Sequence, residues 1–426
     1  MPKNARKSPK NEVQTTPPAS SQLTMPLPEL MREELYGVVT RLGLLAMQSM
    51  LQQDVEALCG PRYSRDEGDR PSRGGTARGS LALGGRRVEV RRPRVRQDGR
   101  EVQLKCWEHL SSEDPLNRRA VEQMLIGVST RKYGRSLEKV PEEVKTRGTS
   151  RSAVSRRFVA ATTAELEGWL QRDLRGLAIT AIMIDGIYIA DHVVLIALGF
   201  DETGAKHILG VQEGATENRE SCTALLRDFS ERGVDTGRST LFVIDGAKAM
   251  RRAILDVFGK RALIQRCQFH KECNVLEHLP EPKRASIRRV LHDALRASTV
   301  QTARRRLEAL AGRLASEHPS AAASIREGLD ELFTVKELGL SEDLERSLST
   351  TNAIENVNNG IRRIAGRVKN WRGGSMILRW IGAALHELQA GFHRIKGCRD
   401  MPKLIAALRA RDARLDPPID AAEKVA

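Results

Sequence analysis

One phrase that occurs twice constrains the fold most. Residues 241–246 read LFVIDG, and residues 182–186 read IMIDG, so that Asp185 and Asp245 stand in the same register sixty residues apart. An apolar run without polar alternation suits a strand covered on both faces. Such strands lie in the middle of a sheet with helices on either side, which makes the domain α/β. The glycine after each aspartate allows a tight exit. Both carboxylates are therefore expected at the C-terminal ends of central strands, where ligands gather in open α/β sheets.

The neighbouring segments fix an order. AITAIMIDGIYIA, HVVLIALGF and AKHILGVQEG follow one another from Ala178, with DETG as the second turn. They stand too close together for helical crossovers and are expected to form an antiparallel meander. NRESCTALLRDFSERG has helical periodicity, LFVIDGA is a fourth strand, AMRRAILDVFG a second helix and ALIQRCQF a fifth strand. Three antiparallel strands, helix, strand, helix, strand is the order of the ribonuclease H-like fold. There the first and fourth strands are neighbours, so Asp185 and Asp245 should face each other. Residues 271–347 carry only helical patterns and are expected to be an all-α insertion. STTNAIENVNNGIRRIAGRV then opens a new helix, with Ser349 or Thr350 as its cap and Glu355 as its one acid.

The N-terminal half has another character. Residues 1–27 are basic, polar and without the apolar stretch of a secretory signal, as expected of a disordered arm. Residues 28–60 carry apolar side chains at Leu35, Val38, Val39, Leu42, Leu45 and Ala46, the spacing of a long amphipathic helix that either docks on the chain or pairs with a second subunit. Within residues 61–110, the stretch from Arg62 to Arg100 holds twelve arginines against five acids. With a turn at Asp98-Gly99 it is either a β-ribbon that tracks phosphates or a solvated loop. Residues 111–176 read as helices, and VPEEVKTRGTSRSAVSRRFVAAT has the pattern of a helix-turn-helix. Helix Glu142–Thr146 would be followed by a second helix facing Arg151, Ser152, Ser155, Arg156 and Arg157 outward and Ala153, Val154, Phe158 and Val159 inward. Short polar residues backed by arginine suit base edges and phosphates in a major groove. A connecting helix is expected to run on to Leu177, with a domain boundary at Gly176.

Charge agrees with a polyanionic partner: 70 Lys and Arg against 54 Asp and Glu give +16. No apolar run approaches the ~20 residues of a membrane span, so no membrane association is expected. Six cysteines at 59, 106, 222, 267, 273 and 398 form no Cys-x-x-Cys pair, which favours a reducing cytosol over a disulfide framework or a zinc ribbon.

Two aspartates on neighbouring strands plus a carboxylate from a later helix form an all-oxygen ligand set. It suits two Mg²⁺ ions of the kind that serve phosphodiester chemistry, with Asp185, Asp245 and Glu355 as both catalytic residues and metal ligands. After Glu355 no further acid occurs before Glu387, whereas Arg362, Arg363, Arg367, Lys369 and Arg372 do. These side chains are expected to hold the DNA backbone beside the scissile phosphate. Trp371 either stacks on an exposed base or belongs to the core.

IMIDGIYIADH around Asp185, VIDGAKAMRRAI around Asp245, RCQFHKECNVLEHLP, and STTNAIENVNNGIRRIAGRV around Glu355 together resemble the insertion-sequence transposases of the Mutator superfamily, a DDE-type group. The resemblance runs from about Pro28 to Ala407. It implies a ribonuclease H-like core (residues 177–270 and 348–411) interrupted by the helical insertion, with a tail at 412–426 and a mostly helical N-terminal DNA-binding region. Further implied are Mg²⁺-dependent strand cleavage and 3′-end transfer, for which Mn²⁺ can substitute. Double-stranded DNA is the implied partner, as terminal inverted repeats and as target. A homodimer or larger assembly and a place on the bacterial nucleoid in the cytoplasm are also implied. Cys267 and His270 match the family's Cys-x-x-His element, expected to be structural or to position DNA. The alternatives are a transposase-derived DNA-binding regulator and another ribonuclease H-like nuclease.

Overall fold

The computed structural model describes residues 27–63, 70–112, 115–214 and 218–416. The expected basic arm, apart from Leu27, and most of the expected tail lie outside the described residues. The chain divides into two compact units, residues 1–114 with 134–148, and residues 115–133 with 149–426.

The first unit is built on helix α1 (Leu27–Cys59) and an antiparallel ribbon, β1 (Ser72–Leu83), β2 (Arg86–Gln97) and β3 (Arg100–Val102). Of the two forms open to the arginine-rich stretch, the ribbon is the one that forms. Asp98 and Gly99 take φ of 50° and 75° at the β2–β3 turn, the left-handed pair that a two-residue hairpin requires. Leu51 and Val55 of α1 pack with Val95, Leu104 and Trp107, the last from α2 (Lys105–Ser112). Leu35, Val38, Val39, Leu42 and Leu45 of α1 stay exposed, so its apolar docking is carried by the C-terminal half, while Arg41 pairs with Glu143 at 2.7 Å. Several ribbon arginines are engaged internally: Arg92 and Arg94 both pair with Glu101 at 2.6 and 2.7 Å, and Arg86 is buried.

The expected helix over Glu142–Thr146 does not form. Thr146–Arg147 is instead a short strand, β4, paired antiparallel to Val88 and Arg87 of β2. A five-residue helix has too few internal hydrogen bonds to offset its nucleation, whereas the free edge of β2 offers ladder bonds at once.

In the second unit, α3 (Pro115–Leu125) and α4 (Arg151–Leu170) pack around Phe158 and Trp380. The second helix of the expected pair is thus present as α4, capped by the Ser150 hydroxyl, which accepts from the Ala153 amide. It ends at Leu170, short of the expected Leu177. Val154 and Phe158 face inward as read from the sequence, but Val159 is exposed.

The sheet has five strands: β5 (Ile179–Ile189), β6 (His192–Asp201), β7 (Lys206–Gly214), β8 (Thr240–Ile244) and β9 (Ala262–Arg266). Their spatial order is β7-β6-β5-β8-β9, antiparallel on the β7–β6–β5 side and parallel from β5 to β9. The first and fourth strands are neighbours, as expected from the resemblance of the element order. Helices α5 (Arg219–Glu231) and α6 (Lys248–Phe258) cover one face through Leu225, Phe229, Ile254 and Phe258.

Six helices follow β9: α7 (Gln268–Glu277), α8 (Glu281–Leu295), α9 (Val300–Leu314), α10 (Pro319–Arg326), α11 (Thr334–Glu337) and α12 (Glu342–Leu348). Most of this segment has its own core, running from Val275 to Phe333. Helices α13 (Asn352–Ala365), α14 (Gly374–Gln389) and α15 (Met401–Leu415) then cover the other face of the sheet. Among the described residues no helix is long and apolar enough to cross a membrane.

Candidate active site

Strand alternation decides which way the aspartates point. Along β5, Ile182 and Ile184 belong to the α5–α6 side, whereas Ala181, Met183 and Ile187 belong to the core under α13 and α14. Asp185 shares the parity of the second set and faces α13. On β8, Val243 belongs to the same side and Ile244 to the opposite one, so Asp245 follows Val243. The parallel register couples Met183 to Val243, which brings Asp185 level with Asp245.

The two aspartates differ in one respect from expectation. Asp245 does end its strand, and its Oδ1 accepts from the Ala247 amide at 2.9 Å in the turn to α6. Asp185 lies inside β5, still paired with Ile196 of β6, and only its pairing with β8 has ended. The repeated glycine accordingly has two meanings. Gly186 continues a strand. Gly246 has φ 105°, and a Cβ there would lie 2.1 Å from Arg266 Nε. A left-handed turn and the close approach of a buried guanidinium both demand glycine at 246.

Helix α13 supplies the third carboxylate. Its inward face carries Ile354, Val357, Ile361 and Ala365, together with Asn358, which is 1% exposed. Asn358 Nδ2 donates to Asp185 Oδ2 at 2.8 Å, and this bond ties α13 to β5. Glu355 sits one turn earlier. Its Oε1 accepts from the Thr351 hydroxyl at 2.6 Å and lies 3.9 Å from His270 Nδ1. Thr351, not Ser349 or Thr350, is the N-cap position, and its hydroxyl turns to Glu355 instead of capping the helix.

The charges in this group feel one another. Burial, and then the negative charge of Asp245, push the Asp185 carboxyl up to about 6. His270 is raised to about 9, first by the Cys267 sulfur, against its own burial, and further by the charges of Cys267, Glu355 and Asp245. Burial pushes the Cys267 thiol up, but hydrogen bonds from His270 and Thr351 outweigh it and leave the thiol below its ordinary value. Cys267 Sγ is the N-cap acceptor of α7 through the His270 amide at 3.5 Å. It is also contacted by the Thr351 amide at 3.4 Å and the Thr351 hydroxyl at 3.3 Å. Ligand atoms of Cys267, His270 and Glu355 lie within 4.8 Å of one another.

A family model described as "Transposase, Mutator family" matches residues 27–394, which include the two aspartates, the Cys267–His270 element and Glu355. The chain belongs to the Mutator family of transposases. Its relatives include the transposase of IS256 in transposon Tn4001 of Staphylococcus aureus, 27% identical over 355 residues, which are 80% of this chain and 87% of that protein. The transposase of IS6120 from Mycolicibacterium smegmatis is 28% identical over 62% of this chain and 80% of its own length. That of IS1081 from Mycobacterium tuberculosis is 24% identical over 86% of each.

The remaining candidate residues of this transposase fall into two groups. Arg362 and Arg363 are exposed in the last turn of α13. Seven residues beyond Glu355, Arg362 returns to the same helix face about 10 Å along the axis, and it donates to Asn359 Oδ1 at 3.1 Å. Lys369 and Arg372 are exposed between α13 and α14, and Arg367, also exposed, donates to the Ile126 carbonyl. Trp371 is half-buried against Trp380, with ring centroids 6.5 Å apart. On α4, Arg151, Ser152, Ser155 and Arg156 are exposed and Arg157 is half-buried. Sequence reasoning missed Asn358 and Thr351. The signal for Asn358 was there: in the series Ile354, Asn358, Ile361, Ala365 it is the polar member of an otherwise apolar helix face.

Proposed function

We propose that this transposase is a DDE enzyme with a ribonuclease H-like core, which binds the terminal inverted repeats of its element, cleaves DNA strands there and joins the 3′-ends to target DNA. One observation carries the reading. Asp185 and Asp245 stand level on adjacent parallel strands, on the face covered by the helix that bears Glu355. The strand order matches that fold, and the 110 residues between Asp245 and Glu355 accommodate the helical insertion.

The donor set fits Mg²⁺. Asp185, Asp245 and Glu355 offer only oxygen, which hard divalent cations prefer. Burial and the neighbouring negative charge already disfavour the ionised form of Asp185, a penalty that a cation would relieve. Bound there, Mg²⁺ supplies activation of the attacking oxygen and stabilisation of the leaving 3′-oxygen. The chain's own residues set the stage for that chemistry. Asn358 fixes the carboxylate of Asp185 by occupying one of its oxygens. Thr351 does the same for Glu355, and His270 places a positive charge beside the phosphate. Cleavage exchanges a phosphodiester bond for a water-derived phosphate oxygen and a free 3′-hydroxyl. Joining exchanges one phosphodiester for another, so neither step needs an external energy source.

Cys267 does not fit a metal role as well. Its sulfur already meets two amides and a hydroxyl, and it serves to hold the start of α7 against the start of α13. The exposed arginines of α13 and the exposed face of α4 suit DNA backbone contacts, and a homodimer or larger assembly handles the two element ends together.

The test uses the element's own end repeats as duplex substrates with Mg²⁺. The parent is expected to nick and join them, and Asp185→Ala, Asp245→Ala and Glu355→Ala are each expected to bind but not cut. Parental rates in these variants would overturn the site assignment. Binding by the parent without metal-dependent cutting would favour a regulator.

A further inference from the structure

A cavity of about 550 Å³ opens directly beside Glu355. Its walls come from β7, α7, α12, α13 and the segment after α14, and its chemistry is uneven in an informative way. Lys206, Arg346, Arg394 and Lys396 line it, and the aromatic side chain among its lining residues is Phe269. Arg346 and Lys396 are already paired, with Glu342 at 2.5 Å and Asp343 at 3.0 Å. Among the described residues Lys206 and Arg394 have no carboxylate partner. Burial holds Lys206 below its ordinary pKa, so this cation gives up hydration without an anion to compensate it.

Phe269 is the second of the two residues between the Cys267 cap and His270, and it is 49% exposed. Its neighbours on α7 do the opposite: Lys271, Glu272, Val275 and Leu276 are all buried. The ring meets His270 edge-on, centroids 5.8 Å apart at 63°, which leaves ring surface open. Phe269 also lines a second cavity of about 760 Å³, so it borders two recesses. An exposed aromatic face, unpaired cations and a volume of several hundred Å³ together describe a seat for a flat ring carrying phosphates.

We propose that this cavity receives one nucleotide turned out of the DNA helix next to the cleaved bond, its base stacked on Phe269 and its flanking phosphates on Lys206 and Arg394. The proposal rests on the assignment of Glu355 to the cleavage site. Extruding a base breaks its pairing and stacking, least unfavourably where it is mismatched, and an aromatic platform compensates for the lost stacking whatever the base. Phe269 is then a positioning residue: it holds the strand in the bent form that presents the phosphate to the carboxylates.

Two readouts test it, one independent of cleavage. Full-length protein is bound without divalent metal to end duplexes carrying thymine at, and opposite, each position within three nucleotides of the cut, and permanganate reactivity is mapped. The parent is expected to make one position hyperreactive, Phe269→Ala to lose that signal at equal DNA occupancy, and Phe269→Trp to keep it. With Mg²⁺, Phe269→Ala is expected to cleave paired DNA roughly tenfold to a hundredfold more slowly and to recover to within a few-fold of the parent when that position is mismatched. A parent footprint without a hyperreactive thymine overturns the proposal, as does a Phe269→Ala protein that cuts paired DNA at the parental rate or stays equally slow on mismatched DNA. Hyperreactivity that depends on Phe269, in a parent that does not cut, would uphold the nucleotide seat and sink the cleavage assignment instead.

Discussion

Replacing Asn358 separates what the site needs from what the fold needs. Asn358→Leu keeps the side-chain length and removes the donor that reaches Asp185 Oδ2 at 2.8 Å. A hydrogen bond to a charged group contributes about 1.5–3 kcal/mol, which corresponds to roughly 10- to 150-fold in rate if the bond is fully used to orient the carboxylate. Stability should move much less. Asn358 Oδ1 is buried without a hydrogen-bond partner, so the native amide already carries a penalty of about 1–3 kcal/mol that leucine removes. Loss of one bond and relief of one orphan oxygen nearly offset each other. The assay is single-turnover nicking of end duplexes across a Mg²⁺ titration, with thermal unfolding and DNA binding measured on the same preparations. The expected result is a rate 10- to 100-fold lower, a raised Mg²⁺ requirement, and melting and DNA affinity close to the parent. A nicking rate within twofold of the parent would refute the positioning role. A fall in melting temperature that accounts for the lost activity, with the Mg²⁺ requirement unchanged, would make Asn358 a structural residue only.

Three further outcomes follow from contacts around the site. Cys267→Ala strands the amides of His270 and Thr351 and should destabilise by about 1–3 kcal/mol in urea unfolding, while Cys267→Ser keeps an acceptor and recovers part of it; chelator should leave the parent's unfolding midpoint unchanged, since a drop would point to bound zinc. Gly246→Ala must face both φ 105° and the Arg266 guanidinium and should abolish soluble folded protein, whereas Gly259→Ala, at φ 53° and ψ −133° with open space around it, meets backbone strain alone and should reduce stability by about 1–3 kcal/mol in the same assay. Burial, and then the charge of Arg266, lower Lys271 from 10.5 to about 8 against the pull of Glu327 and Glu331. The unfolded chain therefore binds the extra proton between those values, and stability should rise with pH from about 8 to 10.5, by at most about 3 kcal/mol, a rise that Lys271→Met removes in urea titrations at each pH.

The legible part of this protein was the part where neighbouring residues in sequence settle the question. Buried strands announce themselves by unbroken apolar runs, and β5 and β8 could be placed side by side because the order of elements is that of the ribonuclease H-like fold, in which the first and fourth strands are neighbours. The carboxylates came with them. What misled was local pattern without local stability: VPEEVKTRG has helical periodicity, but only the free edge of β2, some sixty residues earlier, decides that Thr146 and Arg147 extend. Caps failed for a similar reason. Ser349, Thr350 and Thr351 are chemically alike in sequence, and the choice among them is made by Cys267, whose sulfur meets Thr351 from 84 positions away. Arg367 has a partner that charge alone does not reveal, since its exposed guanidinium donates to the carbonyl of Ile126, 241 positions away.

The Cys-x-x-His element makes sense once the insertion is seen to begin and end at one place. The Gln268 amide donates to the Ser349 carbonyl at 2.9 Å, and Cys267 holds Thr351, so the chain leaves the sheet and returns to it within two hydrogen bonds. Between those points the helices have their own core, and Gln265 steadies them by donating to Leu332 O and accepting from Val335 N, each at 2.9 Å. Closing a longer loop adds only about 0.6 kcal/mol per doubling of its length, so the insertion can be large without loosening the site, provided its two ends stay fastened. The fastening is done by consecutive residues with separate tasks. Arg266 fills the space that Gly246 leaves beside Asp245, Cys267 and Gln268 latch onto the approach to α13, and His270 faces Glu355. A change at any of them is expected to alter the distance between carboxylates that lie 110 positions apart, which ties a motif containing none of the three carboxylates to the site proposed for them.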